Sequence, residues 1–419
     1  MHGLFPAEHV FYQSRSSNPG ARSDRPAILY LTNKFCFPPN SGGAVRESKL
    51  LEPLLGRFDV HYVGFTHNFD ADCANALNLV DRFGSITLLR HQEPDLPLDV
   101  TSFRLREHYS PFGEDLVIKL IDRIRPSTIH VEGCFLMRYV PRGLPCRIVL
   151  TEENIEFELD AGRSAVSGRK PPGAHTSDIV RRIELDAWRA ADVCIFVTPE
   201  DERTAKSVIP ELNTRCLENS VDGDLSKEAI WTSRSPSPTP TGLYVANYTW
   251  PPSEDGAYFL IDEVWPLILD IVPEAHLILA GTGMSAELEA HTAQAEQVTY
   301  VGPFEKFADV ANGAHVFLCP LRFGGGSKIK VIDALSHGLP IVGTKEAQRG
   351  FPVGIKELIF CGETAMSIAL LTASLFDARR AREKMASSAS TATHLLPTWQ
   401  SIAGELANIW QVNPVDGGN

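Results

Sequence analysis

Val316-Phe317-Leu318-Cys319-Pro320-Leu321-Arg322-Phe323-Gly324-Gly325-Gly326-Ser327-Lys328-Ile329-Lys330-Val331-Ile332-Asp333-Ala334-Leu335-Ser336-His337-Gly338-Leu339-Pro340-Ile341-Val342-Gly343-Thr344 is the stretch whose reading decides the fold. Its opening apolar run suits a strand buried on both faces. Three glycines follow, which let the backbone approach a ligand closely and adopt positive φ. Ser327 is a good helix N-cap. Ile329, Ile332 and Leu335 recur at helical spacing, and Gly338 with Pro340 ends the helix before a second apolar strand. Strand, glycine loop, helix, strand puts loop amides and a helix N-terminus where an anion can sit. Gly324, Gly325, Gly326 and Ser327 would line that site, with Arg322 and Lys330 as partners of a diphosphate. Lys328 would join them or stand as a solvated helix residue. Lys330, Asp333 and His337 share a helical face. Asp333 can accept two ribose hydroxyl hydrogen bonds or pair within its own helix.

The chain has 419 residues, too many for one ordinary core, and 43% of them are hydrophobic, enough for two. A net charge of −13 excludes a global basic footprint for nucleic acid. An anion ligand then requires positive charge concentrated locally, as around Arg322. The 8 cysteines are scattered without zinc-knuckle spacing, which reads as free thiols in a reducing compartment. No apolar segment is long enough to span a bilayer, and residues 1–25 read as a flexible leader without the pattern of a signal peptide. The expected location is cytoplasmic, with room for peripheral contact with the inner face of a membrane.

Upstream, residues 27–32 form an expected strand that runs through Pro38-Pro39-Asn40-Ser41-Gly42-Gly43 into a helix over about 44–55. Gly42 and Gly43 read as a tight turn or as ligand contacts. The spacing does not match Gly-x-Gly-x-x-Gly, so no NAD site follows. Further strands are expected over residues 60–65, 85–89, 128–131, 147–151 and 193–198, with helices over 116–124 and 178–189. A Pro/Ser/Thr-rich linker covers residues 225–242. A second series follows, with strands over 243–246, 276–280 and 298–301, and a helix over 256–271. Gly281 and Gly283 close one of these strands and serve either as a turn or as a close approach to phosphate or base. An amphipathic helix over 399–410 ends the pattern. Strands alternating with helices mean α/β architecture with parallel sheets. The expected fold is two Rossmann-like domains, 26–224 and 243–395, facing each other across a cleft, with 396–419 as a C-terminal helical segment.

Carboxylates at strand ends are candidates for proton transfer or for binding acceptor hydroxyls. Glu132 ends the strand over 128–131. Glu152 and Glu153 end the strand over 147–151, next to Asn154. The bland alternatives are helix caps and solvated loop acids. His130 alternates inward as a core histidine. Arg138 and Tyr139 shape an acceptor pocket or cover a helix. Asn219 and Asp222 read as a hinge turn or as cleft-facing contacts.

Taken in order, these phrases resemble the GT-B glycosyltransferases of family 4, the group 1 glycosyltransferases, in their glycine-rich donor-loop form. The resemblance rests on residues 320–344, Ser41-Gly42-Gly43-Ala44-Val45-Arg46, Glu132-Gly133, Glu153-Asn154-Ile155-Glu156, Ala191-Asp192 and Asn219-Ser220-Val221-Asp222. It implies retaining transfer of a sugar from a nucleotide-diphosphate sugar to an acceptor; no acidic metal-binding pair stands beside the phosphate loop, so no metal or other cofactor is expected. The acceptor would be a carbohydrate, lipid-linked or small-molecule hydroxyl, in polysaccharide or glycoconjugate synthesis. By that resemblance 243–395 binds the donor, 26–224 serves the acceptor, and 396–419 packs back on the N-terminal domain. Asp333 stands where a glutamate usually holds the ribose, Lys330 matches a basic residue by the diphosphate, and Gly42 and Gly43 face that diphosphate. Glu132, Lys330 and Arg322 form the implied catalytic set, with Glu153, Asn154 and Arg138 on the acceptor side. Three departures stand out. Glycines replace the first glutamate of the usual Glu-x7-Glu pattern. No cation pair occurs in Val245-Ala246-Asn247-Tyr248-Thr249-Trp250. Glu132 takes the place of a common histidine. Two other readings remain: an epimerase or hydrolase acting on nucleotide sugars, and a non-catalytic sugar-nucleotide-binding subunit.

Overall fold

The computed structural model describes residues 9–13, 24–92, 108–167, 176–222, 237–377 and 393–411. Two compact units are present: residues 1–217 with 400–419, and residues 218–399. The boundary falls at Leu217 and Glu218, before the expected 224. The expected linker lies outside the described residues up to 236, and its last two residues, Thr241 and Gly242, already open a strand.

The first unit holds eight strands: β1 (His9–Tyr12), β2 (Ala27–Thr32), β3 (Asp59–Thr66), β4 (Ser85–Arg90), β5 (Thr128–Glu132), β6 (Arg147–Glu152), β7 (Val193–Phe196) and β8 (Thr214–Cys216). Their order is β1-β4-β3-β2-β5-β6-β7-β8. All pairs are parallel except β1 with β4. Residues 9–12 therefore depart from the expected leader. Phe11 and Tyr12 sit opposite Thr87 and Ile86, and the ladder gives this short segment a place at the sheet edge. Strands β2 to β7 are buried along nearly their whole length, as a sheet covered on both faces requires.

The second unit holds β9 (Thr241–Asn247), β10 (His276–Thr282), β11 (Val298–Tyr300), β12 (Val316–Cys319), β13 (Ile341–Gly343) and β14 (Ile359–Cys361). They form a fully parallel sheet in the order β11-β10-β9-β12-β13-β14. One apolar cluster, around Trp265 and Leu277, and another, around Phe317 and Leu335, form its core. In both sheets the strand order reverses beside the first strand of the doubly wound series, between β2 and β5 and between β9 and β12. Ligands of open α/β sheets bind outside the strand C-termini at such switch points.

Two helices differ from expectation for identifiable reasons. The first starts at Gly42, one residue after Ser41, whose hydroxyl accepts from the Ala44 N–H at 3.3 Å. It stops at Leu51 because Pro53 has no N–H to continue it. The expected helix over 256–271 begins earlier and is split into Pro251–Phe259, a π turn Leu260–Val264, and Trp265–Ile271. Pro266 cannot donate to the carbonyl four residues back. The Trp265 N–H bonds to Leu260, five residues back, which absorbs the mismatch.

Candidate functional site

In the second unit the glycine loop leaves β12 and enters the helix Ile329–Ser336. Lys328, not Ser327, is the N-cap residue, and it makes no side-chain cap bond. The Ser327 hydroxyl is buried without a hydrogen-bond partner among the described residues. Gly326 has a φ of +58°, a left-handed conformation that favours glycine. A side chain at Gly324 would meet the Trp250 ring at 3.4 Å. From behind, the Asn219 amide donates to the Ser327 carbonyl at 3.1 Å, so Asn219 braces the loop.

The three cations of this loop have different fates. Lys328 is only 4% exposed, which corrects its reading as a solvated residue. Its ammonium donates to the carbonyls of Gly326 at 3.0 Å and Gly325 at 3.4 Å, and pairs with Glu346 at 3.3 Å. Burial pushes it below the ordinary lysine range, and Glu346 offsets only part of that. Lys328 is thus an internal strut. Lys328→Met should remove the strut and cost about 1–3 kcal/mol, because two loop carbonyls lose their donor. Urea unfolding would read this directly.

Arg322 is already held by carboxylates. Its Nε and Nη2 form a fork on Asp255 at 2.9 and 2.6 Å, Nη1 reaches Glu263 at 3.5 Å, and the guanidinium lies 4.9 Å above the Phe259 ring. The expectation of a diphosphate partner at Arg322 therefore meets a charge already matched twice. Lys330 differs from both. Among the described residues it pairs with no carboxylate; its ammonium lies 3.5 Å from the Ser253 hydroxyl and 4.8 Å above the Tyr244 ring. Burial pushes its pKa down to about 8, which leaves a cation in want of an anion. Asp333 follows on the same helix, partly buried. His337 Nδ1 lies 2.8 Å from the Asp333 backbone carbonyl, so that histidine is tied to the helix end.

Gly281 and Gly283, with φ of +127° and +74°, lie at and just beyond the end of β10. A Cβ on Gly281 would lie 1.8 Å from the Ala246 carbonyl oxygen, and one on Gly283 would lie 2.4 Å from Thr249 Cγ2. Close packing against the end of β9 is thus sufficient reason for both glycines.

The first unit gathers charge at its own switch point. Lys34, just after β2, pairs with Glu47 at 2.8 Å and Glu153 at 3.4 Å. A side chain on Gly43 would fall 2.5 Å from the Lys34 ammonium and 2.6 Å from the Glu153 carboxylate, so the bare backbone there makes room for the pair. Burial opposes the charge on Lys34, but Glu153 and Glu47 outweigh it and raise its pKa above the ordinary lysine range. Arg46 is buried on the same helix as Glu47 and donates to the Leu217 carbonyl at 2.6 Å. Glu132 ends β5 beside them, 6% exposed, and accepts from the Tyr30 hydroxyl at 2.6 Å. Burial pushes its carboxyl up, but the hydrogen bonds from His130 and Tyr30 and the charge of Arg46 hold it below the ordinary range. Lys34 and Glu47 were missed in the sequence. Lys34 lies in an irregular loop, and Glu47 looks like one more polar helix residue.

Burial pushes Glu47 up to about 7. Lys34 offsets part of that, and Glu132 and Glu153 add to it. An acid raised in the folded state contributes stability below its unfolded pKa and loses it as pH rises through the folded one. Unfolding free energy should therefore fall between about pH 4.5 and about pH 7, and Glu47→Gln should flatten that fall. An unchanged slope in the variant, measured by urea titration, would contradict this assignment.

Of the other acceptor-side residues, Asn154 is partly buried with no side-chain hydrogen bond among the described residues. Arg138 is exposed, its guanidinium over the rings of Tyr109 and Tyr139. Tyr139 is a core residue, stacked on Phe65 with its hydroxyl donating to the His108 carbonyl at 2.9 Å. Glu152 is buried, accepting from the Trp188 indole at 3.0 Å and the Cys134 N–H at 3.3 Å. Glu184 caps the start of the helix Glu156–Ser167 through two backbone N–H groups at 2.8 and 3.0 Å. Cys134, Glu152 and Glu184 offer ligand atoms within 4.8 Å of one another. Burial and mutual charge push both carboxyls well above their usual range.

Two parallel-sheet units of this topology are the fold of the GT-B glycosyltransferases. Within it, residues 239–377 match the family model described as glycosyl transferases group 1. Sucrose-phosphate synthase from Thermosynechococcus elongatus is similar in structure, with a TM-score of 0.70 at 16% identity, over 92% of this chain and 98% of that one. Anabaena Alr3699/HepE, in complex with UDP-glucose, gives 0.62 at 13% identity over 92% and 99%. WaaG, a glycosyltransferase involved in lipopolysaccharide biosynthesis, gives 0.64 at 12% identity over 93% and 100%. No curated protein matches the chain in sequence. No helix among the described residues is long and apolar enough to cross a membrane.

Proposed function

We propose that the protein is a cytoplasmic, metal-independent retaining glycosyltransferase. It moves a sugar from a nucleotide-diphosphate sugar to an acceptor hydroxyl in polysaccharide or glycoconjugate synthesis. The observation that carries this reading is Lys330: a partly buried ammonium with no carboxylate partner among the described residues, in the first turn of the helix that follows the glycine loop at the β9/β12 switch point. As the bond from the anomeric carbon to the diphosphate breaks, negative charge grows on the leaving oxygen. Lys330 and the loop amides stabilise that charge, usually the largest catalytic contribution. Asp333 holds the ribose hydroxyls. In the first unit Glu132, ionised and with Oε2 unpartnered among the described residues, accepts the proton of the acceptor hydroxyl as that oxygen bonds to the anomeric carbon. Support also comes from the UDP-glucose complex of the structurally similar HepE.

A thermal-shift series with UDP, GDP, ADP and TDP tests donor binding, since a ligand well above its Kd raises the melting temperature. Labelled donor with and without acceptor hydroxyls then tests transfer. Binding followed by isomerised or hydrolysed donor, without any transfer, would replace this reading with an epimerase or hydrolase. Binding without turnover across a broad acceptor panel would replace it with a non-catalytic binding subunit.

A further inference from the structure

The last helix of the first unit reaches back to Glu132 through a histidine. Trp410 donates its indole N–H to His130 Nδ1 at 2.9 Å, across 280 residues of sequence. Indole is a donor only, so Nδ1 carries no proton and the ring hydrogen sits on Nε2. That nitrogen lies 3.0 Å from Glu132 Oε1 and 3.0 Å from the Thr151 hydroxyl. The opposite tautomer would set Nδ1–H against the indole N–H and aim a lone pair at a carboxylate. The ring cannot readily turn, because Tyr30 stacks on it at 4.9 Å and Trp410 meets it edge-on at 5.5 Å. Glu132 Oε1 thus receives both Tyr30 and His130, while Oε2 is left buried without a hydrogen-bond partner among the described residues.

We infer that Trp410 is a positioning residue: by fixing the Nε2–H tautomer of His130 it ties down Oε1 of Glu132 and reserves Oε2 for the substrate hydroxyl. This rests on the reading of Glu132 as the acceptor-side carboxylate. The charged and titratable groups around Glu132 are Tyr30 from β2, Lys34 just beyond it, Arg46 and Glu47 from the helix Gly42–Leu51, and His130 from β5 itself. The outer link runs through Trp410, an uncharged donor, so the arrangement holds without adding a further charge to the cluster.

The test labels histidine with 15N in the full-length chain and reads the His130 ring by long-range proton–nitrogen correlation, assigned with His130→Asn. Turnover is followed against pH in the wild type and in Trp410→Phe. The expected wild-type ring is the Nε2–H tautomer. In Trp410→Phe the ring keeps only the restraint from Glu132, so a minor share of the Nδ1–H form should appear, kcat should drop about tenfold with donor KM within about twofold, and the acid limb of the pH profile should move. A wild-type ring protonated on Nδ1 would overturn the inference, and this measurement needs no folded variant. So would a tautomer change in Trp410→Phe that left kcat and the pH profile untouched. A wild type with no transfer activity but an Nε2–H ring would sink the transferase reading and the role given to Trp410 in it, while the hydrogen-bond chain itself would stand.

Discussion

Lys330→Ala should lower kcat/KM for a nucleotide-sugar donor by about 10²–10³-fold, the size expected when one preorganised partner of a developing oxyanion is removed. The argument is one of charge balance. Lys328 is paired with Glu346, and Arg322 is paired with Asp255 and Glu263, so neither cation can serve a diphosphate without giving up a partner. Lys330 makes one long contact with Ser253 and lies over Tyr244, so its removal should leave the melting temperature within about 2 °C of wild type. Steady-state kinetics beside a melting curve separates the two effects. Wild-type turnover in the variant would remove the anion site from Lys330. Lys330→Arg should restore only part of the activity, since a planar fork does not replace a compact point charge.

Gly281→Ala should destabilise the second unit by at least about 3 kcal/mol, because backbone strain and a steric collision add. The position has a φ of +127°, and the new methyl would lie 1.8 Å from the Ala246 carbonyl oxygen. That oxygen belongs to β9, the central strand paired with both β10 and β12, so relief requires the sheet itself to shift. The check is urea unfolding with the melting temperature. Stability within about 0.5 kcal/mol of wild type would show that the sheet end can relax, leaving close packing an insufficient account of this glycine.

Much of this was legible residue by residue. Strand periodicity and glycine positions placed β2, the glycine loop and the helix after it within a residue or two of where they stand. These signals are local: an apolar run, a backbone needing positive φ, a proline that stops a helix. The same locality misassigned Ser327 as a cap and hid the π turn before Pro266. Both depend on how a neighbouring segment settles. Arg322 and Lys328 carried the same sign as Lys330 in the sequence, and nothing in their spacing distinguished a paired cation from an unpaired one. Asp255 and Glu346 decide that, and they arrive from other elements.

By itself, then, the sequence determined a two-unit α/β chain with an anion-binding loop after one strand, because hydrophobic periodicity and glycine conformation act over a few residues. Only the tertiary structure decided which charges remain to be used. Glu47 and Glu153 close on Lys34, two carboxylates close on Arg322, and Trp410 reaches His130 to hold Glu132. The physical reason is that desolvation and pairing depend on contacts between segments distant in sequence, and these form only when each unit folds around its own sheet.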